Sequence, residues 1–196
     1  MRFFLILLML FISAMSFADI SQIRIIPRHD FPIPTPAAAP IIPKYLVKWQ
    51  NAKNGEIPRD ATAVGAICNN PVYVCHAKYL EGVHPGQLVK NGCLISYGGK
   101  AMVLSKYQVL TTRKQIAWQE ADQLEAYFYH NNENIPIPGG YEGEDQHPLF
   151  ICRAMFDDIH IGKVVDNNCN ISVNGAEVIR KAYKVLFLTK VDLQYE

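Results

Sequence analysis

The chain has almost no net charge and no block of one sign. Across 196 residues, 19 lysines and arginines stand against 18 aspartates and glutamates, a formal net charge of +1. A protein that tracks nucleic acid or an anionic bilayer carries a basic run or face. No basic run and no acidic tail occur here, so neither nucleic acid nor anionic membrane is an expected partner. Signatures of chemistry are missing too. There is no Gly-x-Ser-x-Gly elbow, no paired-carboxylate motif, and no C-x-x-C or H-x-x-x-H spacing for zinc. A cysteine–histidine couple can be written from Cys75 with His76, or from Cys152 with His147 and His160. Yet His76 follows Cys75 directly along a strand, so the two side chains leave opposite faces, and Arg153 takes the matching place after Cys152. The expectation is a protein that is no enzyme, with no cofactor and no metal site.

Long apolar runs are absent beyond the N-terminus. Met1-Arg2 precedes an apolar stretch from Phe3 to about Ile12, and small residues follow, ending in Ser16-Phe17-Ala18. One basic residue, a short apolar core and a small-x-small site predict a secretory signal peptide over residues 1–18, cleaved after Ala18. A membrane anchor is the alternative, but a bilayer-spanning helix needs about 20 apolar residues. The expected destination is outside the cytoplasm, secreted or periplasmic, with no transmembrane segment after cleavage. Residues 19–44 hold Pro27, Pro32, Pro34, Pro36, Pro40 and Pro43, half of the twelve prolines. Such a segment builds neither helix interior nor central strand and reads as an extended polyproline spacer or an unstructured N-terminus.

What the remainder does have is a duplication. Val72-Tyr-Val-Cys-His-Ala77 returns as Leu149-Phe-Ile-Cys-Arg-Ala154, Gly92-Cys-Leu-Ile-Ser96 as Asn168-Cys-Asn-Ile-Ser172, and Tyr107-Gln-Val-Leu110 as Tyr183-Lys-Val-Leu186. Near-constant spacing across several blocks marks a tandem repeat, with copies over residues 45–113 and 114–196 that form one domain. Valines, isoleucines and aromatics alternate with glycine, asparagine and proline punctuation. Tyr97-Gly98-Gly99 and Asn174-Gly175 predict hairpin reversals. Val83-His-Pro-Gly86 and Ile159-His-Ile-Gly162 are read as turns leading into Gln87-Leu-Val89 and Lys163-Val-Val165. Lys114–Tyr129 has a rival helical pattern and is read as a strand–loop insertion joining the copies. The fold class is all-β, a pseudo-twofold sandwich or barrel of two tandem repeats.

Four cysteines are duplicated with the blocks. Cys75 and Cys93 in the first copy match Cys152 and Cys169 in the second. In an exported protein this invites one disulfide per copy; the other reading is four small buried hydrophobes. Cys68 has no counterpart.

In their order, Trp49, Gly55-Glu-Ile-Pro58, Pro71-Val-Tyr-Val-Cys-His-Ala77, Gly82-Val-His-Pro-Gly86, Cys93, Tyr97-Gly-Gly-Lys100 and Tyr107-Gln-Val-Leu110 resemble the DM-nine repeat. Ile137-Pro-Gly-Gly-Tyr-Glu142, Pro148-Leu-Phe-Ile-Cys-Arg-Ala154, Gly162-Lys163, Cys169 and Tyr183-Lys-Val-Leu186 resemble it more closely. The family occurs in natterin-like and secreted recognition proteins, and its characterised members are mannose-binding lectins. The resemblance implies an all-β unit and a sugar site made of an acid after the Gly-Gly turn and a lysine after the following Gly: here Glu142 and Lys163. A carboxylate accepts from neighbouring sugar hydroxyls and an ammonium donates to a further oxygen, while Tyr141 or Phe156 covers the apolar ring face. The first copy departs from this pattern, with Ile67 near the acid position and Gln87 for the lysine. Glu177, against Ala101 in the first copy, is read as half of an ancestral structural ion pair with lysine. The implied function is a secreted, mannose-type carbohydrate-binding protein using mainly the second copy, as a homo-oligomer for avidity. The alternative is a non-catalytic structural or protein-binding module of the cell envelope with a cell-surface partner.

Overall fold

Short β-branched and aromatic runs between two-residue reversals build this chain almost entirely of strands. The computed structural model describes residues 46–124 and 134–189; the expected leader and spacer, and residues 125–133, lie outside the described residues. Seven strands come from the first copy: β1 (Lys48–Lys53), β2 (Ala63–Ile67), β3 (Asn70–Tyr79), β4 (Gly82–Val89), β5 (Gly92–Tyr97), β6 (Lys100–Leu104) and β7 (Lys106–Thr111). Eight follow: β8 (Ile116–Glu120), β9 (Ile135–Pro136), β10 (Pro138–Glu142), β11 (His147–Met155), β12 (Ile159–Val165), β13 (Asn168–Val173), β14 (Ala176–Arg180) and β15 (Lys184–Leu188). Among the described residues, no helix is long and apolar enough to cross a membrane.

Four of the reversals are two-residue loops with positive φ at both positions: Cys68-Asn69, Gly98-Gly99, Asp166-Asn167 and Asn174-Gly175. That doublet is the mark of a type I′ turn, whose twist matches the flanking strands. Both reversals expected at Gly98-Gly99 and Asn174-Gly175 are therefore present. The turns expected at Val83–Gly86 and Ile159–Gly162 are not: both stretches run inside β4 and β12. Their glycines serve close approach instead of chain reversal. A Cβ on Gly86 would run into the Leu94 carbonyl oxygen, and one on Gly162 into the Asn170 carbonyl oxygen, at matching points of the two copies.

The duplication is written into the strand order. Along hydrogen-bonded neighbours it runs β1-β7-β3-β4-β5-β6-β14-β13-β12-β11-β15-β8, the same from either end once each strand is exchanged for its repeat counterpart. β8 thus holds in the second half the place of β1 in the first. The strand expected within 114–129 is present, but as an integral member of the sheet; residues 122–124 are helical. β6 and β14 meet at the centre, where Ala176 pairs with Lys100 and the two hairpin tips exchange Ala101 N–H to Gly175 O and Glu177 N–H to Gly99 O.

Closure is not symmetric. β10 pairs along one edge with β11 and meets β4 through Tyr141 and Val83. The strands β4-β5-β6-β14-β13-β12-β11-β10 thereby close into an eight-stranded antiparallel barrel, with the others attached outside it. Gly140 makes this approach possible: a Cβ there would strike the Val83 carbonyl. Its counterpart Gly65 on β2, at the same bulge in the same register, has nothing within 4 Å of a built Cβ. So only the second copy supplies a closing strand of this kind.

Each half keeps its own apolar cluster around a disulfide. Cys75–Cys93 and Cys152–Cys169 are bonded, with Cα atoms 5.8 and 5.9 Å apart, which settles the open alternative in favour of bridges. Ile95, Tyr107 and Val109 surround the first; Phe150, Ile171, Val185 and Phe187 surround the second. A third cluster, with Val74, Leu110, Ile137, Ile151, Ile161 and Leu186, draws on both halves and joins them. Cys68 remains a free, exposed thiol at the β2–β3 turn.

Two outcomes follow for unfolding measurements. Gly140→Val places branched carbons against the Val83 carbonyl and should lower urea-unfolding stability by roughly 2–3 kcal/mol. Each disulfide closes a loop of 18 or 17 residues, so Cys75→Ala/Cys93→Ala and Cys152→Ala/Cys169→Ala should each lose about 3 kcal/mol. A matched pair of losses is expected because the two loops are nearly equal.

Candidate functional site

Barrel closure carries Glu142, the last residue of β10, beside Lys163 in the middle of β12. Oε2 of Glu142 accepts from the Lys163 ammonium at 3.3 Å. The pair is unlike an exposed surface ion pair: the Lys163 side chain is 3% exposed and the Glu142 side chain 33%. A charge taken from water needs its hydrogen-bonding capacity filled nearby. Three groups converge on the ammonium. Besides Glu142, Nδ1 of the fully buried His84 accepts at 3.3 Å, and the Tyr97 ring centre lies 5.1 Å away, within cation–π range. His84 also packs edge-on to Tyr97, which packs edge-on to Tyr79.

These contacts assign the histidine's tautomer. Nε2 sits 3.3 Å from the Tyr79 carbonyl oxygen, which can only accept, so Nε2 bears the hydrogen and Nδ1 keeps a lone pair for Lys163. Burial, reinforced by the positive charge of Lys163, holds the His84 pKa below its ordinary 6.5. The second carboxylate oxygen of Glu142, Oε1, has no hydrogen-bond partner among the described residues. The site therefore presents a fixed, half-exposed carboxylate with one oxygen bound inward and one free to accept.

The residues expected from the sequence, Glu142 and Lys163, are brought together. The site is nonetheless composite: His84, Tyr97 and Tyr79 come from the first copy and were missed. Nothing in the spacing of β4 or β5 announces that they meet β12; only the β10–β4 closure does so. Tyr141 lies on the closing strand itself, paired with Val83. Phe156 is 48% exposed and stands under the Arg180 guanidinium.

The first-copy counterparts show what was lost. Ile67 pairs with Asn70, just before Pro71, as Glu142 pairs with His147, just before Pro148; the acid position is thus Ile67. Gln87 occupies the lysine position and accepts from the Ile161 N–H at 3.2 Å. His160, the counterpart of His84, is hydrogen-bonded instead to Asp157 at 2.7 Å. That bond is the main reason the Asp157 carboxyl titrates below its usual range.

Other sequence readings find their places. Glu177 accepts from Gly99 N–H at 2.8 Å and from the Asn170 amide at 3.0 Å, so it clamps the central seam through these two donors in place of the expected lysine. Cys75 and Cys152 are buried in disulfides, which removes both sulfurs from any cysteine–histidine couple. His76 donates from Nδ1 to the Gly139 carbonyl at 2.6 Å. Among the described residues, no group of three or more His, Cys, Asp or Glu could hold a metal ion.

The DM9 repeat model matches residues 66–164, half of the chain. The chain belongs to the DM9 repeat family. Its matched span runs from the end of β2, through the linking segment, to Val164 on β12, and so includes both Glu142 and Lys163. No curated protein matches the sequence. Among solved structures, the fold is similar to the crystal structure of the nematode sperm cell motility protein MFP2B, with a TM-score of 0.60 at 18% identity. The likeness covers 78% of this chain and 49% of that one, so this DM9 protein spans about half the length of its structural neighbour.

The site's protonation gives a direction for acid. His76 and His84 both have pKa values below 6.5, in each case chiefly through burial. Between 6.5 and those lowered values the unfolded chain binds protons that the folded one does not. Stability should accordingly fall as pH drops below about 6.5 and level off beneath the folded values. Urea midpoints measured across pH 7 to 4 should show this decline, and His84→Gln should make it shallower.

Proposed function

We propose that this DM9 protein is an exported carbohydrate-binding recognition protein of the mannose type, non-catalytic, which holds its glycan mainly through Glu142. The observation that carries the reading is the buried Lys163 ammonium braced by His84 and Tyr97 against a half-exposed carboxylate. Keeping a lysine out of water costs several kcal/mol unless it is fully partnered. Lys163 fixes Oε2, and Oε1 is left to accept from vicinal sugar hydroxyls. In this reading Lys163 orients the acid more than it touches sugar, since its donors already have three partners. The first copy, with Ile67 and Gln87, contributes His84 and Tyr97 but no acid of its own, which favours one site per chain. A single such site is weak, so the working form is a homo-oligomer displaying several.

A glycan array and mannose-agarose retention test the proposal, with the oligomeric state read by light scattering. Glu142→Gln preserves shape but removes a charged acceptor, and should weaken binding by roughly 10- to 100-fold. Lys163→Met, which releases the carboxylate, should also weaken it, while Gln87→Ala should leave it unchanged. Failure to bind any glycan would overturn the lectin reading in favour of an envelope module that binds protein, and full binding by Glu142→Gln would overturn the placement of the site at Glu142.

A further inference from the structure

A second surface feature belongs to the first copy alone, and neither Glu142 nor Lys163 lines it. A groove of about 560 Å³ runs over β1, β7 and β3, with Lys53, Lys78, Lys106, His76, Gln108 and Tyr107 among its lining residues. The register explains its composition. Asn51 pairs with Gln108 and Lys53 with Lys106 across β1 and β7, and His76 pairs with Gln108 across β3 and β7. The β3–β7 pairing ends at His76 and Gln108, and just beyond it Lys78 lines the same groove as the cross-strand pair Lys53 and Lys106. Three lysines thus gather along one groove.

Like charges opposite one another on a sheet, as Lys53 and Lys106 are, are destabilising. Among the described residues, the ammonium groups of Lys53, Lys78 and Lys106 make no ion pair, whereas Lys163 and Lys184 both do. All three are exposed, and Glu56 is the single carboxylate of the lining. The row behind them is rigid. His76 contacts the Gln108 amide at 2.7 Å, Gln108 contacts Asn51 at 2.8 Å, and the His76 ring is stacked 3.8 Å from Trp49. In the second half the residues matching His76, Gln108 and Asn51 are Arg153, Lys184 and Glu120, with an ion pair between Lys184 and Glu120 at 2.5 Å. The lysine positions there are Met155, Ala182 and Asp122. The positive groove is therefore a feature of one copy, not of the fold.

We infer that the groove lined by Lys53, Lys106 and Lys78 binds a linear anionic glycan, a sugar chain that carries sulfate or carboxylate groups at regular intervals. Several unpaired cations along one groove suit a repeating anion. The half-buried Val83 in the lining suits the C–H face of a sugar ring. Nucleic acid is the other repeating polyanion, but its single strands are held by stacking on aromatic faces, and Tyr107, the aromatic of the lining, is 5% exposed with its hydroxyl donated to the Glu56 carbonyl.

The test is titration of the full chain with a sulfated linear oligosaccharide, its desulfated form, and a single-stranded oligonucleotide of equal charge. The sulfated chain should bind, more weakly as salt rises, and the other two should bind far less. Lys53→Gln/Lys78→Gln/Lys106→Gln should weaken binding about tenfold or more while raising the melting temperature, since self-repulsion is removed. The same three positions as arginine should retain binding, as should the control Lys114→Gln/Arg180→Gln/Lys181→Gln, whose residues lie outside the groove lining. Glu142→Gln should retain it too, which separates this groove from the neutral-sugar site. Equal binding by both glutamine triples, or an oligonucleotide bound as tightly as the sulfated chain, would overturn the inference.

Discussion

Gly140 lies so close to the Val83 carbonyl that no side chain fits between them, and barrel and site both depend on this approach. It lets β10 bridge from β11 to β4, and the ring of eight strands closes there. The same step places Glu142, opposite Gly82 in the antiparallel register, within reach of the Lys163 ammonium that His84 also meets. Without that approach the second copy would still own an acid and a lysine, and the first would still own a histidine and two tyrosines. They would not form one site. Gly82 belongs to the same constraint, since a Cβ there would lie 2.7 Å from His84 Nε2 and 2.8 Å from the Tyr141 carbonyl.

Apart from the closing contact of β10, the two halves share the devices that hold the sheet and differ where the surface works. Each has a bonded cysteine pair, a bulge at Ala63–Gly65 or Pro138–Gly140, and a tryptophan on its outer strand packed against the residue after the strand cysteine. Trp49 stacks on His76, and Trp118 lies under the Arg153 guanidinium, 4.9 Å from it. Even the backbone carbonyls used are equivalent. Gly139 O receives the His76 hydrogen, and Val64 O receives the Trp118 indole hydrogen at 2.6 Å. A duplicated frame can lose a charged residue in one copy without losing a core contact, which is how Ile67 and Gln87 are tolerated.

Much of this was legible in the sequence, and for a physical reason. Strand cores and I′ turns are local: alternation and Gly-Gly or Asn-Gly doublets specify them within a few residues, and the repeat itself spaced the cysteines. The mistaken turns at Val83–Gly86 and Ile159–Gly162 came from treating glycine as a sign of chain reversal. Inside a strand it also permits close backbone approach, and only the neighbouring strand's position reveals which role it has. His84 and Tyr97 were invisible for the same reason, since no spacing within one copy says which residue of the other will face Lys163. The lysine cluster was hidden differently. A net charge of +1 averages a sheet on which Lys53, Lys78 and Lys106 are 25 and 28 residues apart in sequence yet line one groove.

Energetically, the frame carries what the surface features take away. A buried lysine and a cluster of like charges both oppose folding, and a domain's net stability is only about 5–15 kcal/mol. Two disulfides of about 3 kcal/mol each lie under the half-sheets that bear these features: Cys152–Cys169 ties β11 to β13 on either side of Lys163, and Cys75–Cys93 ties β3, which bears Lys78, to β5. Neither bridge touches the charges themselves. They restrict the unfolded chain, so the margin they provide is independent of pH and salt, unlike the margins that His84 and the lysine cluster modulate. A frame stabilised in this way can vary its surface charges copy by copy, and the asymmetry between Glu142–Lys163 and Ile67–Gln87 is the result.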